Sequence, residues 1–121
     1  MNEDFQEYMI QANALMGQEK YEDTIKYLEK AEQIDNMNID VYLSKGVAYE
    51  NMERYEEAKL EFENVLKISK NNGIALFHLG NIEILMGNRA RGIELFNNAI
   101  ANGFDDAQVY FSLWKLALEV F

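Results

Sequence analysis

The side chains able to do chemistry are few and scattered. His78 is the only histidine in the 121 residues, and there is no cysteine, so neither a thiolate nucleophile nor a Cys/His pair can be assembled. His78 lies between Phe77 and Leu79, with no second histidine or acidic cluster nearby, and reads as structural or solvent-facing rather than metal-bound. Carboxylates are plentiful, 21 Asp and Glu against 11 Lys and Arg, yet no turn carries the alternating oxygen ligands of a calcium loop. Gly87 and Gly92 flank no phosphate-binding pattern. No catalytic residue, metal ligand or cofactor is expected.

The formal net charge of −10 argues against nucleic acid, whose phosphates call for clustered Lys and Arg. Acids and lysines are interleaved, as in Glu22, Asp23, Lys26, Glu29 and Lys30, which is the pattern of a solvated helical face. The opening Met1-Asn2-Glu3-Asp4 is acidic and polar, unlike a signal peptide. No apolar run approaches the roughly 20 residues needed to span a bilayer. The expectation is a cytoplasmic protein that does not insert in membranes.

The elements come from a repeat. Asp4, Asn38, Asn72 and Asp106 stand at identical intervals of 34 residues, each just before an apolar-periodic segment, where a helix needs a side-chain oxygen for its first free N–H groups. The same ruler places small residues at Ala12, Gly46 and Gly80, and large apolar ones four earlier at Tyr8, Tyr42 and Leu76, with Tyr110 in a fourth, partial unit. Second halves carry Thr24 and Leu28, Ala58 and Phe62, and Gly92 and Phe96, followed by Ala31, Val65 and Ala99. Spacings of three and four put these on one helical stripe, and a small residue facing a bulky one lets two helices approach closely. The pattern predicts helices near 5–17, 21–34, 39–51, 55–69, 73–86, 89–101 and 107–120.

The chain thereby resembles the tetratricopeptide-repeat (TPR) family, whose signature is W-x₂-L-G-x₂-Y, then A-x₃-F, then P, in 34 residues. The second unit reads Tyr42-x₂-Lys45-Gly46-x₂-Tyr49, then Ala58-x₃-Phe62, and the third Leu76-x₂-Leu79-Gly80-x₂-Glu83, then Gly92-x₃-Phe96. The resemblance implies an all-α superhelical solenoid, a single domain with three helix-turn-helix repeats at about 5–38, 39–72 and 73–106 and a capping helix at 107–120. There are departures. The chain has no proline, the closing slots being Asn36, Lys70 and Phe104, so turns must rest on Asn- and Gly-containing stretches. Gln11 and Lys45 fill a slot usually held by leucine, and Glu83 one usually held by tyrosine; all three are expected to weaken local packing.

The resemblance also implies a ligand face, because the first helix of each TPR pair lines a concave groove. With Tyr8 and Ala12 packing inward, the groove stripe falls on Gln6, Met9, Asn13 and Met16, then Asp40, Leu43, Val47 and Glu50, then Ile74, Phe77, Asn81 and Ile84, then Gln108, Phe111, Lys115 and Leu118. So apolar a surface would mark an interaction site for an apolar peptide or amphipathic helix, or else side chains touching each other across a tight superhelix. Asn13 and Asn81 share one slot; an amide can donate and accept, and peptide-sensing TPR regulators hold peptide backbone this way, although solvated asparagines are common. The carboxylate clamp of heat-shock co-chaperones (Lys, Asn, Asn, Lys, Arg) maps onto Met9, Asn13, Ser44, Ile74 and His78. Only Asn13 survives, so a C-terminal carboxylate ligand is not expected.

The closing helix is apolar on most of its circumference, its polar residues Ser112, Lys115 and Glu119 forming one narrow stripe. That predicts burial on more than one side. Self-association through Val109, Leu113, Trp114, Leu116 and Phe121, giving a homo-oligomer, is one explanation; a longer array is the other. The functional expectation is a non-enzymatic protein–protein interaction module, an adaptor, scaffold or chaperone-like holder. The alternatives are a self-assembling structural unit or a TPR arm of a larger protein.

Overall fold

The computed structural model describes residues 2–104 and 107–119, apart from the side chains of Asn2, Ala107, Gln108, Phe111 and Trp114. Within these residues lie seven helices and no strand: α1 (Asn2–Gly17), α2 (Tyr21–Ile34), α3 (Ile39–Asn51), α4 (Tyr55–Ile68), α5 (Gly73–Leu85), α6 (Arg89–Ala101) and α7 (Ala107–Glu119). The fold is all-α, and each expected helix is present. The chain forms two compact units, Met1–Ile68 with α1 to α4 and Ser69–Phe121 with α5 to α7.

In the first unit, Ala12, Leu28, Ala31 and Val41 form a buried cluster from three helices, with Phe5, Tyr8, Met9 and Tyr27 packed around it. The small-to-large rule governs the α3–α4 pair: a β-carbon on Gly46 would lie 2.6 Å from Cζ of Phe62, which is fully buried. A buried phenylalanine contributes roughly 1.5–3 kcal/mol of hydrophobic stabilisation, and here only glycine lets the ring in. Lys26 pairs with Asp23 on the solvated face of α2, and Lys30 sits over the rings of Tyr8 and Tyr27 at 5.6 and 5.0 Å.

The α2–α3 turn, which lacks the family's proline, is held by hydrogen bonds. The backbone N–H of Met37 donates to Asp35 Oδ1 (3.0 Å), and the Tyr42 hydroxyl donates to the Asn36 carbonyl (2.6 Å). The Asn38 side chain then accepts the N–H of Asp40 (3.0 Å) and caps α3.

In the second unit, Gly80 admits the Phe96 ring in the same way, a β-carbon there falling 2.6 Å from it. The cap also recurs, with Asn72 Oδ1 accepting from Ala75 N at 3.0 Å. Asp4 is different. Helix α1 begins at Asn2, so Asp4 lies in its first turn rather than before it, where a carboxylate still favours the positive end of the helix dipole. Asp106 lies outside the described residues.

A second marker at the same period stands where the first helix of each pair ends. Glu19, Glu53 and Gly87 adopt left-handed backbone, with φ of 61°, 59° and 92°. The following N–H groups reach back to Leu15, Tyr49 and Glu83 carbonyls at 2.9, 2.9 and 2.7 Å, which is the Schellman closure of a helix. Two of the three positions hold glutamate, which tolerates this backbone less well than glycine.

Candidate functional site

The residues expected to face a ligand divide into three kinds. In the first unit, Met16 on α1 and Leu43 and Val47 on α3 are half-buried, and Asn13 is exposed. They sit beside the inward stripe of Ala12, Tyr42 and Gly46, all buried. Met9 is half-buried too, but it packs against the Ala12–Leu28–Ala31–Val41 cluster and belongs partly to the core.

In the second unit Ile74 is exposed at 43% and Asn81 is half-buried. Phe77 requires a correction. Only 5% of it is exposed, and its ring lies 5.7 Å from that of Phe96, 5.2 Å from Phe104 and 5.3 Å from His78. Phe104 returns from the end of α6 to close this aromatic cluster, so Phe77 is core. Ile84 likewise turns towards α6, its side chain reaching 2.4 Å from where a Gly92 β-carbon would stand. The Phe111 side chain lies outside the description.

Two of the residues expected to mediate self-association are also interior. Val109 is fully buried and Leu116 is 7% exposed; spaced seven apart, they are the stripe of α7 that faces its own unit. Leu113 is half-buried, the Trp114 side chain is not described, and Phe121 lies outside the described residues. Among the described side chains, the exposed large apolar residues of α7 are Tyr110 and Leu118.

Lys45, expected to weaken packing, is instead the centre of a buried ion cluster. From α3 its ammonium lies 2.8 Å from Glu32 Oε1 on α2 and 3.1 Å from Glu61 Oε2 on α4, tying three helices together. The Lys45 and Glu61 side chains are 9% and 12% exposed. Burial pushes the Glu61 carboxyl above its ordinary range, Lys45 opposing it only in part. Burial presses Lys45 downward, but its hydrogen bond to Glu32 and the charge of Glu61 prevail, and its pKa stands above the ordinary lysine value. Burial likewise raises the neighbouring phenols of Tyr42 and Tyr49. The signal in the sequence was the charged residue in a leucine slot, which a buried position tolerates only with partners.

Glu83, in the tyrosine slot of the third unit, is resolved similarly: it is buried, and its carboxylate accepts from the Asn88 amide at 2.7 Å. Among the described residues no three His, Cys, Asp or Glu side chains are grouped to hold a metal ion, and no helix is long and apolar enough to cross a membrane.

Helix-turn-helix pairs with caps and closures on one fixed period define an all-helical repeat protein. The sequence model described as "Tetratricopeptide repeat" matches residues 39–72, the span that follows the Asn38 cap and ends on the next cap, Asn72. Solved structures share the fold. The Arabidopsis OM64 TPR domain aligns at TM-score 0.90 and 14% identity, over 97% of this chain and 97% of that one. The first TPR of Spaghetti (RPAP3) bound to HSP90 peptide SRMEEVD aligns at 0.89 and 12%, over 99% and 95%. PcrH in complex with the chaperone binding region of PopD aligns at 0.89 and 14%, over 100% and 96%. No curated protein sequence matches significantly. Residues 39–72 thus match a tetratricopeptide repeat in sequence, and the described helices share the fold of solved tetratricopeptide-repeat domains.

Proposed function

We propose that this protein is a non-enzymatic protein–protein interaction module whose first-helix faces receive an apolar peptide segment or amphipathic helix, as an adaptor, scaffold or chaperone-like holder. The carrying observation is on α3. Its buried stripe is already used by Tyr42 and Gly46, yet the next stripe, Leu43 and Val47, is apolar and still partly open. Partly open apolar side chains at adjacent turns fit a partner contact. Two of the similar structures carry peptide segments of other proteins, an HSP90 peptide and the chaperone binding region of PopD.

The carboxylate-clamp chemistry does not transfer, because Met9, Ile74 and His78 stand where the clamp's cations would be. A cytoplasmic setting fits the acidic, cysteine-free composition. Nucleic acid is disfavoured by the charge balance.

The test is selection from a displayed library of random dodecapeptides. Wild type should enrich peptides with apolar residues at helical or alternating spacing. A Leu43→Asp, Val47→Asp variant that keeps its helical circular dichroism should bind the enriched peptides at least tenfold more weakly. Unchanged affinity would overturn the reading.

A second reading, self-assembly through α7, draws on Tyr110 and Leu118, exposed at 48% and 53%. Light scattering separates the two: a monomeric mass at tens of micromolar rejects self-assembly.

A further inference from the structure

The second unit contains a crevice of about 180 Å³ between α5, α6 and α7. Phe96 and Leu116 are its most deeply buried walls, at 1% and 7% exposure, and Ile84 flanks them. Asn81 and Ser112, both half-buried, bring an amide and a hydroxyl to it, and Lys115 stands exposed at its mouth. An apolar cavity of about 150 Å³ is enough to hold benzene, so this one takes a single leucine, methionine or phenylalanine side chain.

The charges at the mouth are not balanced. Glu119 also lines the crevice, but its carboxylate is held by Arg89, whose Nη1 lies 3.1 Å from Oε2 and whose Nη2 donates to the Leu116 carbonyl at 2.6 Å. Arg89 thereby both neutralises Glu119 and supplies a donor to the last turn of α7. Lys115 makes no ion pair among the described residues. In a chain of net charge −10, this mouth keeps a positive charge with no acid committed to it.

We propose that the crevice is an anchor pocket for one apolar side chain of a partner peptide, and that the residue beside that anchor carries a carboxylate paired with Lys115. Asn81, which can donate and accept together, and Ser112 serve the peptide backbone on either side of the anchor. The five carboxylate-clamp slots named above take no part in it. The proposal rests on the interaction-module reading and specifies the chemistry of one subsite.

The test uses three end-capped heptapeptides in a Gly-Ser background, each with a central leucine flanked by glutamates, glutamines or lysines. They are titrated to millimolar concentration into ¹⁵N-labelled full-length protein. The glutamate-flanked peptide should shift the amides of Asn81, Ser112 and Lys115 and bind about tenfold tighter than the lysine-flanked one, a difference of about 1.4 kcal/mol. Lys115→Glu, at an exposed position, should invert that order, and Ser112→Leu, which fills the crevice, should remove binding. Should Ser112→Leu not fold, Lys115→Glu decides the question alone. Shifts confined to Met16, Leu43 and Val47 would overturn the pocket and leave the interaction reading standing. An order indifferent to Lys115→Glu, or no shift with any peptide, overturns the pocket; the displayed-library selection judges the interaction reading independently.

Discussion

The ammonium of Lys45 on α3 lies 3.1 Å from the carboxylate of Glu61 on α4, both side chains almost out of water. Neither charge would be stable there alone. Removing one partner leaves the other buried and uncompensated, which costs about 3–5 kcal/mol, whereas replacing both with apolar groups of similar size costs far less. Lys45→Ala should therefore lower the urea-unfolding free energy by about 3–5 kcal/mol. Lys45→Leu combined with Glu61→Leu should recover most of that loss. A double variant no more stable than Lys45→Ala would show that the cluster is not acting as a pair.

The same pair sets a pH dependence. Because burial raises the Glu61 pKa, the folded protein takes up this proton more readily than the unfolded chain. Stability contributed at this position is therefore gained as pH falls from the raised value to the ordinary glutamate value of about 4.3. Lys45, whose pKa is raised, stays charged throughout that window; its own contribution is lost only in strong alkali, as pH rises through its folded value. Wild type should gain stability relative to Glu61→Gln on acidification across the window. A difference that is flat in pH, or of opposite slope, contradicts the assignment.

Gly46 and Phe62 give a packing test. A β-carbon at Gly46 would fall 2.6 Å from the ring, whereas Gly17 meets nothing within 4 Å. Gly46→Ala should destabilise by about 1–3 kcal/mol through overpacking. Gly17→Ala, in the last turn of α1 with no left-handed backbone, should be neutral or stabilising by up to about 1 kcal/mol. Thermal melts of the two variants read the contrast directly. Equal effects would mean that the ring has room to move.

Glu53 occupies a left-handed position, φ 59°, that the third unit fills with Gly87. Glu53→Gly should relieve strain of about 1–2 kcal/mol, less the entropy that glycine loses on folding. The expected net gain is about 0.5–1 kcal/mol in denaturant unfolding. A loss would point to a contact of the Glu53 side chain that outweighs the backbone term.

The helices were legible in the sequence because period, caps and small-to-large spacing all agree: Asn38 and Asn72 cap as their spacing requires, and Gly46 and Gly80 receive the rings of Phe62 and Phe96. Asp4 misled because an acid in a first turn and an acid before it look alike in sequence. The face exposed to a ligand was only partly legible. Phe77 occupies a groove slot by register, yet Phe104, from the turn after α6, covers it, and no helical period encodes where a turn residue will land. Val109 and Leu116 were candidates for an outer face because α7 is apolar nearly all round, and composition alone does not say which stripe turns inward. Lys45 was visible as an anomaly, but its partners Glu32 and Glu61 are distant in sequence and meet only once three helices pack.

The most direct test of the central claim is amide hydrogen exchange of the full chain with and without a saturating dodecapeptide taken from the displayed-library selection. Binding at the first-helix faces of the first unit should slow exchange in α1 and α3, around Met16, Leu43 and Val47, and leave α2 and α4 unchanged. Protection confined to α2 and α4, or none in α1 and α3, would contradict the account.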